Sequence, residues 1–159
     1  MRKIHIIAVA IWLAGAPAFG QSVAFGDAAQ DTDAPVEVTA DALSVTEQEG
    51  TALFTGNVVI AQGDFRLAAP RVLITYDQDG DRIARMEATG GVTLVSGTDA
   101  AEAERADYDP DAGTIVMTGK VLLTQGSNAI SAERMSVDLD GGTAEMSGGV
   151  RTLIQPGAE

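Results

Sequence analysis

The sequence predicts an all-β protein of antiparallel strands, and three observations carry that expectation. Two independent landmarks recur at a period of about 29 residues. Apolar and polar residues alternate with period two inside each unit, the mark of a strand with one buried and one wet face. Clusters of Asp and Gly break the alternation at matching points, where tight turns need residues that accept positive φ.

The chain opens with Met1-Arg2-Lys3 and an apolar stretch from Ile4 to Ala16, then small residues suited to signal-peptidase cleavage. Residues 1–20 read as a signal peptide cut after Ala18 or, preferably, after Gly20, which leaves a polar Gln21-Ser22 start. The stretch is shorter than the ~20 residues a helix needs to cross a bilayer, so a soluble exported protein is expected. Residues 21–35, rich in Ala, Asp and Gln without periodicity, read as a flexible leader. The repeat occupies 36–154, and 155–159 form a short tail.

The first landmark is a glycine followed by alternating apolar residues: Gly56-Asn57-Val58, Gly91-Val92, Gly119-Lys120-Val121 and Gly149-Val150. The valines lie 34, 29 and 29 residues apart. The second is an alanine, usually with arginine two residues on: Ala40-Asp41-Ala42, Ala69-Pro70-Arg71, Ala103-Glu104-Arg105 and Ala132-Glu133-Arg134, spaced 29, 34 and 29. Both place the five extra residues between Ala69 and Val92, so the repeat is no accident. Turns are expected at Glu47–Gly50, Asp77–Asp81, Asp109–Gly113 and Asp140–Gly142. The result is a single curved or folded-over antiparallel sheet with three to four short strands per unit, its first and last strands keeping unpaired edges.

Aligning the units puts one continuous apolar wall on one face: Val36, Val38, Phe54, Val58, Ile60, Phe65, Leu67, Val72, Ile74, Met86, Val92, Leu94, Tyr108, Ile115, Met117, Val121, Leu123, Ile130, Met135, Val137, Leu139, Met146 and Val150. Composition leaves two readings of this wall. It can be ordinary core. It can also be a trough, because thin aliphatic side chains and four methionines adapt to irregular apolar partners such as acyl chains.

Charge and residue inventory exclude several functions. Without residues 1–20 the chain carries 8 basic against 23 acidic residues, a formal charge of −15, which makes nucleic acid an improbable partner. The only His (His5) and Trp (Trp12) leave with that segment, and there is no Cys. No thiol or imidazole nucleophile, disulfide framework, or His/Cys metal site is therefore expected. Asp77-Gln78-Asp79-Gly80-Asp81 resembles half of a calcium loop but lacks its residue order, and reads as an acidic hairpin. Glu102, Glu104 and Asp107 fall on the polar face, where solvation explains them better than acid–base catalysis. Arg71, Arg105 and Arg134 recur at one position and read as exposed ion pairs rather than a phosphate ladder. No enzyme, cofactor or metal is expected.

The signal peptide, the run Val38-Thr39-Ala40-Asp41-Ala42-Leu43, the segment Ala52-Leu53-Phe54-Thr55-Gly56-Asn57-Val58-Val59-Ile60 followed by Gly63, and Ala69-Pro70-Arg71-Val72 together resemble the periplasmic lipopolysaccharide-transport proteins of the LptA/OstA-like group. The likeness runs from about Val36 to Ile154. It implies an antiparallel β-jellyroll folded into an open V that holds the acyl chains of lipid A. The groove residues would be Phe54, Val58, Ile60, Phe65, Leu67, Ile74, Met86, Leu94, Tyr108, Ile115, Met117, Leu123, Met135 and Val137. It also implies a periplasmic bridge stacked head to tail. The Val36–Ala40 strand would face an inner-membrane extraction complex, and the Val150–Ile154 strand an outer-membrane translocon. Two rivals are a membrane-anchored partner of the same pathway that keeps its first helix, and a structural β-repeat protein with a closed core.

Overall fold

A computed structural model describes residues 21–26 and 34–157, and the expected signal peptide lies outside the described residues. Eleven strands follow in chain order: β1 (Gln21–Ala24), β2 (Glu37–Thr39), β3 (Ala42–Thr46), β4 (Thr51–Gln62), β5 (Phe65–Tyr76), β6 (Ile83–Ser96), β7 (Asp99–Asp109), β8 (Thr114–Gln125), β9 (Asn128–Asp138), β10 (Thr143–Ser147) and β11 (Arg151–Leu153). All pairings are antiparallel between chain neighbours, apart from β1 on β10, β2 on β4 and β11 on β9. The described residues contain no helix.

The long strands, β4 to β9, each span 11 to 14 residues and bend once near the middle. Their ladders slip between Thr55 and Val58, Ala68 and Arg71, Thr89 and Val92, Glu102 and Arg105, and Thr118 and Val121. The slips line up across the sheet and fold it along one line into two facing layers. One layer holds β2, β11 and the halves carrying residues 58–69, 92–103 and 121–132. The other holds β1, β3, β10 and the halves carrying 51–55, 71–89, 105–118 and 134–138. β2 with β3, and β10 with β11, are likewise the two arms of bent strands.

The corner explains both sequence landmarks. Gly56, Gly90, Gly119 and Gly148 have φ of 78°, 92°, 86° and 82°, and the residues after them, Asn57, Gly91, Lys120 and Gly149, are left-handed as well. Two consecutive left-handed residues turn the strand sharply, a conformation that glycine adopts without steric penalty. Each of these four glycines faces the residue that follows the alanine of the second landmark: Asp41, Pro70, Glu104 and Glu133. The approach is too close for a side chain, since a Cβ on Gly56 would lie 2.5 Å from an Asp41 carboxylate oxygen and 2.9 Å from its Cβ. Backbone bonds close two of the corners, Asp41 N–H donating to Gly56 C=O at 2.9 Å and Glu133 N–H to Gly148 C=O at 2.8 Å.

Away from the corner the layers end in turns. On one side Gly63-Asp64, Gly97-Thr98 and Gly126-Ser127 are two-residue hairpins whose glycines have φ of 56° to 58°. Glycine at the first loop position is what a type II′ hairpin requires. On the other side lie the acidic turns expected from sequence. Asp109 Oδ1 accepts from the N–H of Asp111 and Ala112, and Asp138 Oδ1 from those of Asp140 and Gly141. These carboxylates cap their own turns.

Two expectations need correction. Each repeat unit contains two long bent strands rather than three or four short ones, because the glycines bend a strand without ending it. Part of the expected leader, Gln21–Ala24, is an ordered strand on β10, and Phe25 just after it is 1% exposed. β1 covers β10 and becomes an edge strand itself, so free edges lie at β2 and β3 on one flank and at β11 and β1 on the other. Inside the fold, Val58, Val72, Val92 and Val121 pack along the corner, with Leu94, Ile115, Met117, Leu123, Met135 and Val137 beyond them.

Candidate functional site: an apolar cleft at the mouth of the fold

The two layers are joined at the corner and diverge toward their turns. A cavity of about 500 Å³ lies at that mouth, within the size range of small-molecule and cofactor sites. One wall comes from β4 and β5 through Ile60, Gln62, Phe65 and Leu67, with Val36 beside them. The facing wall comes from β6, β7, β8 and the turn after β9 through Ile83, Met86, Tyr108, Ile115 and Leu139. Period-two alternation aims these side chains inward, and the divergence of the layers leaves them facing space rather than each other.

The rim is polar. Asp81, Arg82, Pro110 and Asp111 complete the lining, and Arg82 Nη2 reaches Asp111 Oδ1 at 3.3 Å across two neighbouring turns. Arg82 Nε also lies 3.7 Å from Asp77. The Asp77 carboxylate accepts the N–H groups of Asp81 at 3.1 Å and Arg82 at 3.4 Å. The segment that resembles half a calcium loop is thus a turn folded around its own first carboxylate, and no metal-suited cluster of His, Cys, Asp or Glu occurs among the described residues. Beneath the rim, burial raises the Tyr108 phenol above its ordinary pKa, and the Asp140 and Asp109 carboxylates add to the shift. The phenol stays neutral at physiological pH, so it presents a polar but uncharged group to the cleft.

Of the fourteen groove residues expected from sequence, Ile60, Phe65, Leu67, Met86, Tyr108 and Ile115 line this cavity. The other eight do not. Val58, Ile74, Leu94, Met117, Leu123, Met135 and Val137 are buried in the packed core, and Phe54 is partly buried against it. Alternation identifies the inward face but not how far the layers separate along it. Sequence reasoning leaves out the rim, Asp81, Arg82, Pro110 and Asp111, together with Gln62 and Ile83; their signal is only proximity to the turns that end the layers. Gln62 Nε2 donates to Ala34 C=O at 2.9 Å and ties the segment before β2 to this end of the cleft.

The outer face of the second layer carries an ion-pair cluster. Arg105 binds Glu87 and holds Asp107 through Nε at 2.8 Å and Nη2 at 2.7 Å, while Arg85 adds a 2.9 Å bond to Asp107. The Arg105 hydrogen bonds depress the Asp107 carboxyl below its ordinary value, with Arg85 contributing. Both carboxylates raise Arg105 further above its already high range. Among the described residues, the exposed ion pairs expected at all three recurring arginines form at Arg105 and not at Arg71 or Arg134.

Comparisons with known proteins bear on this fold. Residues 37–143 match the family described as LptA/(LptD N-terminal domain) LPS transport protein. An uncharacterized protein of Rhizobium meliloti is 32% identical over 92 residues, covering 54% of this chain and 50% of that one. The lipopolysaccharide export system protein LptH of Pseudomonas aeruginosa is 31% identical over 68 residues, 40% of this chain and 39% of its own. LptA of Escherichia coli K12 is 31% identical over 70 residues, 44% and 34% respectively. The matched stretch spans half or less of these relatives' length. The crystal structure of LptH, the LptA homologous periplasmic component of the conserved lipopolysaccharide transport device from Pseudomonas aeruginosa, superposes with a TM-score of 0.70. It is 18% identical, and the match covers 80% of this chain and 99% of that one. The architecture is therefore a known one, the folded antiparallel sheet expected from sequence.

Proposed function

The chain belongs to the LptA/(LptD N-terminal domain) family of LPS transport proteins, and on that premise we propose that it is a periplasmic carrier that binds lipopolysaccharide by its acyl chains. The observation that carries this reading is the cleft between the layers, mainly apolar on both walls and charged only at its rim. An acyl chain of about 12 to 14 carbons leaving water gains roughly 10 kcal/mol, at ~0.8 kcal/mol per methylene. Aliphatic walls are therefore sufficient to hold a chain without a dedicated hydrogen-bonding site. Phosphorylated head groups stay outside, since the mature chain's charge of −15 opposes them and Arg82 is already paired with Asp77 and Asp111.

The free edges suit a bridge. On the N-terminal flank β3 is fully exposed, and its inward-side residues Leu43 and Val45 are 57% and 62% exposed. On the C-terminal flank β11 is exposed along its length, followed by Ile154 at 68%. Such edges accept an added strand through main-chain hydrogen bonds. In this reading the β2–β3 flank takes the inner-membrane extraction complex or a preceding copy, and β11 a following copy or the outer-membrane translocon.

Photo-crosslinking from Phe65 and Met86 in bacteria that make lipopolysaccharide tests the proposal. Adducts with lipopolysaccharide from these positions, and none from outward-facing Leu122, are expected. Protein adducts alone would leave a structural sheet protein as the better reading.

A further inference from the structure

The cavity occupies only part of the mouth, and the rest is closed by the chain's own N-terminal segment. β1 runs along β10 in the second layer, pairing Gln21 to Ala24 with Met146 to Thr143. The chain then crosses to the other layer. Phe25 N–H donates to Gly142 C=O at 2.9 Å in the turn before β10, while Gly26 N–H donates to Asp99 Oδ2 at 2.9 Å at the start of β7. Gln125, at the end of β8, clasps the crossing from the first layer, donating to Ala24 C=O at 2.6 Å and to Asp99 Oδ2 at 2.9 Å. Strand alternation turns Phe25 inward, where it ranks first by volume among the fully buried side chains.

We propose that residues 21–26 form a displaceable strap that closes the C-terminal part of the groove, with Phe25 occupying the position an acyl chain takes when the strap leaves. The inference rests on the carrier function proposed above. Three properties suit the segment to release. β1 is only four residues long and lies at the sheet edge with one paired side. The bonds that clasp the crossing run to a surface glutamine, a partly exposed aspartate and one turn carbonyl. The volume that Phe25 fills is apolar and lies between the same two layers as the empty cavity, so its departure lengthens the cleft toward β11. The same movement bares the β10 edge, so that opening of the groove and exposure of that flank are one event.

A reversible lock tests this. Ala24 and Thr143 are opposed, exposed partners in the β1–β10 ladder, close enough for a disulfide. The chain has no cysteine, so Ala24→Cys with Thr143→Cys supplies its only thiols. The mature double variant is titrated with a fluorescent long-chain fatty acid, oxidised and after reduction, beside Phe25→Ser. The oxidised form should bind fewer chains per protein than the reduced form, and Phe25→Ser should bind at least as many as the reduced form at equal or higher affinity. Equal stoichiometry and affinity in the oxidised and reduced forms overturns the strap alone, because it leaves lipid binding intact. Absence of binding in every form, wild type included, overturns the carrier reading and the strap with it.

Discussion

Replacing Met86 with Asp places a carboxylate on the wall of the cleft without opening the packed core, because Met86 is only partly buried. The side chain shares the cavity with Ile60, Leu67 and Ile115, so an acyl chain in that space must pass it. A hydrated carboxylate there would deny contact to about 3 to 4 methylenes. At ~0.8 kcal/mol each the loss is about 3 kcal/mol, or roughly 100-fold in Kd. The assay is a titration of purified lipopolysaccharide against the mature protein, with thermal unfolding run in parallel. Leu122→Asp is the control, since it adds the same charge to the outward face of β8. The reasoning predicts a weakened Met86→Asp and an unaffected control, both melting close to wild type. A folded Met86→Asp that binds within about two-fold of wild type would show that the cleft is not where the lipid sits.

Gly56→Ala should destabilise the protein more than Gly80→Ala in urea unfolding. Both positions have left-handed φ, which alone costs about 1–2 kcal/mol for a non-glycine residue, but only Gly56 also faces a side chain at the corner. Equal losses would argue against crowding there. Stability should fall in acid as the Asp107 carboxylate is protonated: its folded-state pKa is lowered, chiefly by Arg105, so its contribution is present above the ordinary carboxylate range and disappears as pH drops through the lowered value. Asp107→Asn should flatten that part of the pH–stability curve. If copies add at the β3 edge as proposed, Val45→Asp should lower the association seen in sedimentation velocity while leaving monomer stability unchanged; identical sedimentation of both forms in an associating wild type would count against that edge.

The alternation of Met135, Val137 and Leu139 with Arg134, Ser136 and Asp138 identified an inward face in the sequence, and all three apolar residues are buried in the fold. The bend was harder to see. Gly56-Asn57 and Gly119-Lys120 look like strand punctuation because a left-handed pair has no sequence signature distinct from that of a turn. Only the pairing across the sheet shows that both arms belong to one strand. The alanines at 52, 88, 101, 106 and 144 are as buried as the valines, yet alanine is too common on either face to mark one. The burial of Phe25 is not legible in the sequence for a different reason: its neighbours Ala24, Gly26 and Asp27 carry no periodicity, and the segment is held by partners more than seventy residues away. Why six of the fourteen expected groove residues face the cleft while seven pack in the core and Phe54 against it is likewise a matter of how far two layers diverge from a shared corner, a distance that period-two patterning does not encode.

The stacked corners set a rule for size. Each hairpin unit contributes one bent pair to both layers at once, so an added repeat lengthens the walls by two strand spacings, about 10 Å, and leaves their separation untouched. The 34-residue unit accommodates its five extra residues where they leave the corner column in step. Width and length are thus independently heritable. A lineage could lengthen the sheet by duplicating units without redesigning the apolar walls of the cleft.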